Sequence, residues 1–257
     1  MRKRYLFFDI DGTLIAGGYA SGYVPDSAKE ALKLLKRQGH FLAIATGRSN
    51  AMARPIMEEL GFVNMVSDGG YGITIDNRLL GIKPLPKEHI VALVRECEER
   101  DLPWGLQVDD SDTRLVPDER FYEATHDIYQ KTKVVPGLRP ENEDVIYKAF
   151  VACEAPVEHS IQALKNLPWC RYQKEYFFIE PTYKAEGIRA VLDHFGADRR
   201  DAIVFGDSEN DLSMFMDEWT KVAMGNAVQA LKDRADYITT DADRDGIYNA
   251  CAALGLF

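Results

Sequence analysis

Short apolar runs alternate with amphipathic stretches in the first third of the chain, and this alternation predicts the fold. Residues 5–8 and 41–45 are almost wholly apolar and end at polar residues, which is typical of buried strands. Between them, Ala28, Leu32 and Leu35 recur at helical spacing and should face a sheet. Strand, helix and strand with short connections predict an α/β domain built on a parallel sheet.

Local signals refine this first domain. Pro25 is expected to introduce the first helix, with Ser27 and Glu30 spaced as a capping box. A second helix is expected over 51–60, where Pro55 favours a late start or a kink. Further elements are also predicted: a glycine-rich loop at 15–22, a strand at 62–67, and a hairpin of 72–75 with 79–80.

The pattern changes near residue 83, where helix followed by paired strands occurs twice. Such α-β-β units are typical of an antiparallel sheet with helices on one face, which predicts a separate α+β domain. The two expected helices are 86–100 and 156–167, and the expected strands are 103–108, 113–116, 169–174 and 176–180. Because the α/β pattern resumes after Pro181, we predict an α+β domain inserted at 83–181 and hinged at its two connections.

The predicted core therefore comprises 1–82 and 182–257, a Rossmann-like parallel sheet. Its second part is expected to begin with a helix at 184–195. The elements expected after it are a strand at 202–205, a helix containing Leu212 and Met216, a strand at 221–224, a helix at 226–233, a strand at 236–239 and a last helix at 246–254.

Composition narrows the class of protein. The 257 residues are 46% hydrophobic, enough for a sizeable core, and the formal net charge is −10. This charge argues against a nucleic-acid partner or an anionic membrane surface. The four scattered cysteines favour buried thiols over a zinc site, and no apolar run reaches the roughly 18 residues of a membrane span. We expect a cytoplasmic enzyme, as a monomer or small homo-oligomer.

Two carboxylates lie where the first strand ends. Asp9 and Asp11 are two positions apart in the motif Asp-Ile-Asp-Gly-Thr. In an open parallel sheet, ligands bind at the carboxyl ends of the strands. Two acids this close repel, and either a divalent cation or a proton relieves that repulsion. Both arrangements suit phosphoryl chemistry, in which one carboxylate attacks or binds metal and the other handles protons.

Other predicted strand ends and helix starts carry polar groups that would meet at the same rim. Their residues are Thr46, Gly47, Arg48, Lys184, Asp207, Asn210 and Asp211. Asp9 and Asp207 can supply the oxygen ligands that Mg²⁺ prefers. A threonine hydroxyl and a backbone N–H at Gly47 can hold phosphate oxygens, and Lys184 can compensate developing negative charge. Asp11 can protonate the leaving oxygen and later deprotonate water.

The chain thus has four motifs: Asp-x-Asp-Gly-Thr at 9–13, Thr-Gly-Arg at 46–48, a lone lysine at 184, and Gly-Asp-x-x-Asn-Asp at 206–211. In this order they closely resemble the motifs of the haloacid dehalogenase-like (HAD) hydrolase superfamily. The inserted α+β domain resembles the C2B cap of its Cof-type phosphatases, and so does the stretch 222–227. The resemblance implies a nucleophile at Asp9 that becomes an aspartyl phosphate. It implies a general acid and base at Asp11, and a Lys184 that steadies Asp9 and the phosphate. It also implies a cap that closes over the site and contacts the leaving group.

The resemblance also implies the ligands of the site. Phosphate binding is assigned to Thr46 and the Gly47 backbone. Two roles stay open for Arg48, namely a contact with phosphate or substrate and a surface ion pair. The implied Mg²⁺ ligands are Asp9, the Asp11 backbone carbonyl and Asp207, with Asn210 and Asp211 as further ligands or as groups that orient them. Residues 68–70 read Asp-Gly-Gly where the family usually has Asn-Gly-Ala, which puts an inherited substrate contact there in doubt.

We therefore predict a Mg²⁺-dependent phosphatase of small phosphorylated metabolites, with sugar phosphates favoured as substrates. A phosphomutase would share the aspartyl phosphate, and the sequence does not separate the two. A non-catalytic sensor should have lost a catalytic carboxylate, and a dehalogenase would need neither Asp11 nor Mg²⁺. Asp241, Asp243 and Asp245 match the start of an EF-hand loop, but Ala252 stands where a bidentate glutamate is needed, which favours a polar loop.

Overall fold

The computed structural model describes residues 2–17 and 22–257, and these divide into two compact units. The first unit contains the chain up to Arg48, Ala53–Gly81 and Tyr183–Phe257. The second contains Ser49–Met52 and Ile82–Thr182. Each unit has its own sheet and its own apolar clusters. Among the described residues, no helix combines the length and apolar character that crossing a bilayer requires.

The helices and strands follow one another along the chain with short connections. The strands are β1 (Tyr5–Phe8), β2 (Phe41–Ala45), β3 (Met65–Ser67), β4 (Gly72–Ile75), β5 (Arg78–Ile82), β6 (Trp104–Gln107), β7 (Thr113–Val116), β8 (Lys131–Val134), β9 (Lys148–Ala152), β10 (Trp169–Cys170), β11 (Tyr176–Ile179), β12 (Ala202–Gly206), β13 (Thr220–Ala223) and β14 (Tyr237–Ile238). The helices are α1 (Asp26–Arg37), α2 (Asn50–Glu59), α3 (Lys87–Glu99), α4 (Arg120–Thr125), α5 (Lys184–His194), α6 (Gln229–Lys232) and α7 (Gly246–Ala253).

An eight-stranded sheet organises the first unit, in the order β14-β13-β12-β1-β2-β3-β4-β5. Strands β14 to β3 pair in parallel, and β4 runs antiparallel to β3. Strand β1 lies between β2 and β12, with Phe8 opposite Ile44 and Phe205. The carboxyl ends of these three strands therefore meet at the middle of one sheet edge, which is where this topology places ligands.

Both faces of this sheet are covered. Leu6 and Phe8 point into one apolar cluster, which contains the buried residues of α1, α2 and α7. Tyr5 and Phe7 point into the other, which contains the buried face of α5. Because successive side chains of a strand point to opposite faces, a strand covered on both sides must be apolar throughout. This explains the uninterrupted apolar runs of β1 and β2.

A six-stranded sheet organises the second unit, in the order β10-β11-β9-β6-β7-β8. Helix α3 covers one face through Ile90, Leu93, Val94 and Cys97. Phe121 of α4 packs on the other face in a second cluster. Arg114 is fully buried there and donates to Asp127 at 2.9 Å.

The predicted capping box of α1 is wrong. Pro25 is the N-cap residue, and no side chain caps the helix. Because Ser27 then lies inside the first turn, its hydroxyl cannot reach the first free amides, and it is buried without a hydrogen-bond partner among the described residues. The helix ends at Arg37, and Gly39 adopts φ +80° just beyond it, which is typical of a helix C-terminus.

The predicted helix at 156–167 is also wrong. Two 3₁₀ turns, Val157–Ser160 and Gln162–Asn166, stand in its place, separated by Ile161 in extended conformation. Both carboxylate oxygens of Glu96 in α3 accept the amides of Gln162 and Ala163, at 2.9 Å each. Glu96 thus caps the second 3₁₀ turn. The continuous helix that the apolar spacing favoured does not form.

Other differences are smaller. The helix expected after Asp207 is a 3₁₀ turn, Glu209–Met214, and α2 begins at Asn50 with Pro55 inside it. The sequence prediction missed α4, β8 and β9. Residues 18–21 of the predicted loop at 15–22 lie outside the described residues. The polar loop expected at 241–245 precedes α7, whose N-cap is Asp245.

Candidate active site

The site is built around the end of the central strand. Asp9 follows β1 and is 4% exposed, and its amide donates to the Phe205 carbonyl of β12 at 3.0 Å. The chain then turns at Gly12, which has φ +82°. A Cβ atom there would lie 2.1 Å from a carboxylate oxygen of Asp207, so this turn requires glycine. Thr13 donates its hydroxyl to Asp207 Oδ1 at 3.0 Å, which ties the turn to the end of β12.

Three carboxylates and one ammonium group meet at this point. Oxygen atoms of Asp9, Asp207 and Asp211 all lie within 4.8 Å of one another. Lys184, the first residue of α5, donates to Asp9 Oδ1 at 2.7 Å and to Asp211 Oδ1 at 2.6 Å. It is 1% exposed. Three carboxylates around one ammonium give this largely buried cluster an excess of negative charge.

The excess charge shifts the pKa values of the carboxyl groups. Burial, with the repulsion of Asp211, raises the pKa of Asp9 well above its ordinary value, and Lys184 only partly opposes this. Burial and the same repulsion raise the pKa of Asp207 to about 7, against the hydrogen bond from Thr13. Burial alone would lower the pKa of Lys184, but the charges of Asp211 and Asp9 outweigh it and raise that pKa.

Asp211 also fixes the backbone around it. Its second oxygen, Oδ2, accepts the amides of Asp207 at 2.9 Å and Ser208 at 3.1 Å. The neighbouring Asn210 accepts the Ser208 hydroxyl through Oδ1 at 2.7 Å. Asp211 thus orients Lys184 and the end of β12 together. A direct role of Asn210 or Asp211 as a metal ligand stays a prediction.

Thr46 and Arg48 follow β2, the strand beside β1. Thr46 is buried, and its Oγ1 accepts the amide of Arg48 at 3.1 Å, which leaves the hydroxyl hydrogen as a donor. The Arg48 guanidinium forms a two-pronged ion pair with Asp11, at 2.9 Å from Nε to Oδ2 and 2.6 Å from Nη2 to Oδ1. The sequence analysis left an ion pair of Arg48 open but did not identify Asp11 as its partner, although both residues follow adjacent strands. Asp11 is 48% exposed, outside the buried carboxylate group.

The turn at 68–70 connects the Thr46–Arg48 segment with the start of α5. The amides of Asp68 and Gly69 donate to the carbonyls of Arg48 and Thr46, at 2.8 and 3.1 Å. The Gly69 carbonyl accepts the amide of Tyr183 at 2.7 Å, directly before Lys184. Asp68 itself is buried and accepts the Ser67 hydroxyl at 2.8 Å. The backbone of this turn therefore supports the site on two sides.

The residues present fit a divalent cation. Carboxylate oxygens are the ligands that Mg²⁺ prefers, and three of them converge here. Burial and the repulsion of Asp211 raise the pKa values of Asp9 and Asp207 despite the opposing charge of Lys184, so their ionised forms are disfavoured here. A cation at this position would relieve the same repulsion.

Together these features define a class of site. A buried carboxylate ends the central strand, a second acid lies two residues on, and a hydroxyl donor and a lysine approach from neighbouring segments. Such a site suits transfer of a phosphoryl group to a carboxylate, because it combines a nucleophile, a proton carrier and positive charge for phosphate oxygens.

Comparison with known proteins agrees with this class. Residues 6–251 match the family model of haloacid dehalogenase-like hydrolases, and the chain belongs to this family. It is 33% identical to YkrA of Bacillus subtilis (strain 168), whose name as a phosphatase is provisional, over 100% of this chain and 99% of YkrA. It is 28% identical to the 5-amino-6-(5-phospho-D-ribitylamino)uracil phosphatase YitU of the same organism, over 95% of each chain.

The fold agrees as well. The solved structure of the HAD subclass IIB sugar phosphatase BT4131 superposes with a TM-score of 0.79, at 24% sequence identity, over 99% of this chain and all of that one. The family predicted from the four motifs is confirmed, and so is the α/β fold. The protein is a HAD-family phosphatase.

Proposed function

We propose that this protein is a Mg²⁺-dependent phosphatase that hydrolyses small phosphorylated metabolites, with sugar phosphates favoured, through an aspartyl phosphate on Asp9. The observation that carries the proposal is the position of Asp9. It is buried at the end of β1, bound by Lys184 and within 4.8 Å of two other carboxylates. Residues 83–181, which belong to the second unit, are proposed as the C2B-type cap that selects the leaving group.

In the first step, Asp9 attacks the phosphorus atom of the ester. A bond forms between Asp9 and phosphorus while the bond from phosphorus to the leaving oxygen breaks. Lys184 donates to Oδ1 of Asp9, so Oδ2 is the attacking atom that we assign. In the resting state Asp11 is a carboxylate paired with Arg48, which holds it beside the site. To act as the acid, Asp11 leaves this pair and takes up a proton from solvent, and it then gives that proton to the leaving oxygen, which departs as an alcohol. Arg48 therefore has a role in positioning as well as in substrate contact.

In the second step, water attacks the aspartyl phosphate. Asp11, now a carboxylate, accepts a proton from the water, and the bond from Asp9 to phosphorus breaks to release inorganic phosphate. The Thr46 hydroxyl and the Gly47 backbone hold non-bridging phosphate oxygens, and the Lys184 ammonium compensates their charge. Bound Mg²⁺ would supply further compensating charge, held by Asp9, Asp207 and the Asp11 carbonyl, with Asn210 and Asp211 as ligands or orienting groups.

One observation supports the substrate class, and another supports a catalytic function. The relative YitU is named for a substrate that carries phosphate on a ribityl chain. The carboxylates Asp9, Asp11 and Asp207 are all present, which disfavours a non-catalytic sensor. A phosphomutase would use the same aspartyl phosphate but would pass the phosphoryl group to a sugar hydroxyl.

The test is phosphate release from p-nitrophenyl phosphate and a panel of sugar phosphates, with Mg²⁺ and with chelator. We expect release that requires Mg²⁺ and that falls by about a thousand-fold or more in Asp9→Asn, because the nucleophile is lost. Asp233→Asn, which changes an exposed carboxylate bound to Gln229, is the matched control and should keep full activity. Activity that survives Asp9→Asn would contradict the proposal, and isomerised sugar phosphate in place of inorganic phosphate would favour the mutase.

A further inference from the structure

The loop that follows β13 is fixed beside the site by its backbone. The amide of Met224 donates to the Gly206 carbonyl at 3.0 Å, and the amide of Val228 donates to the Asp207 carbonyl at 2.8 Å. The amide of Gly225 donates to the Thr240 carbonyl at 3.0 Å. The position of the next side chain, Asn226, is therefore set relative to the end of β12.

Asn226 bridges two distant segments. Its Nδ2 donates to the Gly12 carbonyl at 2.9 Å, and its Oδ1 accepts the amide of Ala242 at 2.8 Å. A backbone carbonyl can only accept and a backbone amide can only donate, so this pair of contacts fixes which way the carboxamide faces. One end of the side chain holds the loop that precedes α7, and the other holds the turn after Asp9.

The Gly12 carbonyl belongs to a turn with two functional neighbours. Asp11 precedes it, and Thr13, whose hydroxyl donates to Asp207, follows it. Holding the carbonyl fixes the plane of the peptide between Gly12 and Thr13. Among the described residues, the backbone amides of this turn make two hydrogen bonds. The Gly12 amide donates to the Ile15 carbonyl at 2.8 Å, and the Thr13 amide donates to the Ile10 carbonyl at 3.4 Å.

We propose that Asn226 is a positioning residue for the phosphatase reaction, which holds the 11–13 turn through the Gly12 carbonyl and so aims Asp11 and Thr13. The proposal rests on the proposed function, since Asp11 is given its proton-transfer role there. Asn226 touches neither the carboxylate group nor Lys184 in any contact recorded for it, and its effect passes through the backbone of the turn.

The test compares Asn226→Asp with Asn226→Ala. Asn226→Asp keeps the oxygen that accepts from Ala242 but loses the donor to Gly12, whereas Asn226→Ala loses both contacts. We expect kcat for p-nitrophenyl phosphate to fall about ten-fold in each, the loss associated with one such hydrogen bond, with KM changed less than about two-fold. The thermal midpoint should fall in both variants and should fall further in Asn226→Ala, which also loses the contact with Ala242.

Asn249→Asp is the matched control. Asn249 also donates from Nδ2, to the Thr240 hydroxyl at 2.9 Å and the Arg244 carbonyl at 3.3 Å, and has no recorded contact with the 11–13 turn. Its variant should keep the kcat of the unmodified protein. Equal loss of kcat in Asn249→Asp would overturn the proposal. Full kcat in Asn226→Ala would also overturn it, because a loss confined to Asn226→Asp would then come from the added negative charge.

A second measurement does not depend on turnover. Amide hydrogen exchange in a peptide covering residues 10–16 should speed up in both Asn226 variants and stay unchanged in Asn249→Asp. If the unmodified protein hydrolyses no phosphate ester, the proposed function fails, and this exchange pattern still decides whether Asn226 holds the turn. Unchanged exchange in both Asn226 variants would overturn the proposal.

Discussion

The two units bury charged side chains in different proportions. In the first, the ammonium of Lys184 meets the carboxylates of Asp9 and Asp211, with Asp207 beside them. In the second, two buried cations each form an ion pair with one carboxylate. Lys148 pairs with Glu180, and Arg114 pairs with Asp127.

This difference separates a structural ion pair from a functional site. A matched buried pair contributes little net stability, because desolvation offsets attraction, and apolar residues of similar volume can replace it. An excess of carboxylates cannot be replaced in that way. Burial, together with the repulsion between these carboxylates, raises the pKa values of Asp9 and Asp207. Burial of charge alone does not mark the site, whereas the uncompensated charge does.

Replacing the two lysines should show the largest effect on stability. Lys148→Met and Lys184→Met each leave buried carboxylates without their ammonium partner, and we expect each to lower the free energy of unfolding by about 3 kcal/mol or more. Adding Glu180→Met to Lys148→Met should restore most of that loss. Denaturant unfolding of the single and double variants is the measurement.

The same rescue should fail in the first unit. Adding Asp211→Leu to Lys184→Met removes the acceptor of the Asp207 and Ser208 amides, and Asp9 remains buried. The unfolding free energy should therefore fall further, by about 1–3 kcal/mol for the unpaired amides. Recovery in both units would contradict the distinction between a matched pair and an excess of charge.

Much of the site could be predicted because it depends on strand ends. Asp9, Thr46 and Asp207 each follow an apolar strand, and parallel strands bring those ends to one edge. Lys184 follows the insertion at a helix start, where a side chain of that helix reaches the same edge.

Contacts that depend on loop conformation could not be predicted. The pairing of Asp11 with Arg48 requires that β1 and β2 be neighbours and that both turns face the same way. The bridge from Asn226 to Gly12 joins residues that are far apart in sequence. The helix expected at 156–167 does not form for a similar reason, because the Glu96 carboxylate of α3 competes for its amides.

A smaller effect should distinguish a glycine that supports the site from one that does not. Gly70 has φ +111°, and a Cβ atom there would lie 2.2 Å from the Tyr183 carbonyl, just before Lys184. We expect Gly70→Ala to lower the free energy of unfolding by about 2 kcal/mol through strain and displacement of the start of α5, and to lower kcat with it.

Gly39→Ala is the matched control. Gly39 has a similar φ of +80°, but a Cβ atom there meets nothing within 4 Å. Its variant should lose about 1 kcal/mol from the left-handed conformation alone and keep its kcat. A loss of kcat in Gly39→Ala equal to that in Gly70→Ala would show that the effect follows stability and not the position of Lys184.

The smallest effect is the pH dependence of the metal-free protein. The pKa of Asp207 is about 7 in the folded state, against 3.8 as the ordinary value. Because the folded state binds this proton more tightly than the unfolded state, the resulting stability is fully present below pH 3.8 and is lost as the pH rises through 7. Between pH 6 and 8 in chelator, the free energy of unfolding should therefore fall by about 1 kcal/mol from this group.

Asp207→Asn removes that contribution and also removes a charge that raises the pKa of Asp9. Its unfolding free energy should therefore change less with pH than that of the unmodified protein. Saturating Mg²⁺ should oppose the loss in the unmodified protein, because a cation favours the ionised carboxylates. A metal-free protein that gains stability between pH 6 and 8 relative to Asp207→Asn would show that Lys184 already compensates the carboxylate group. In that case the contrast between the two units would not hold.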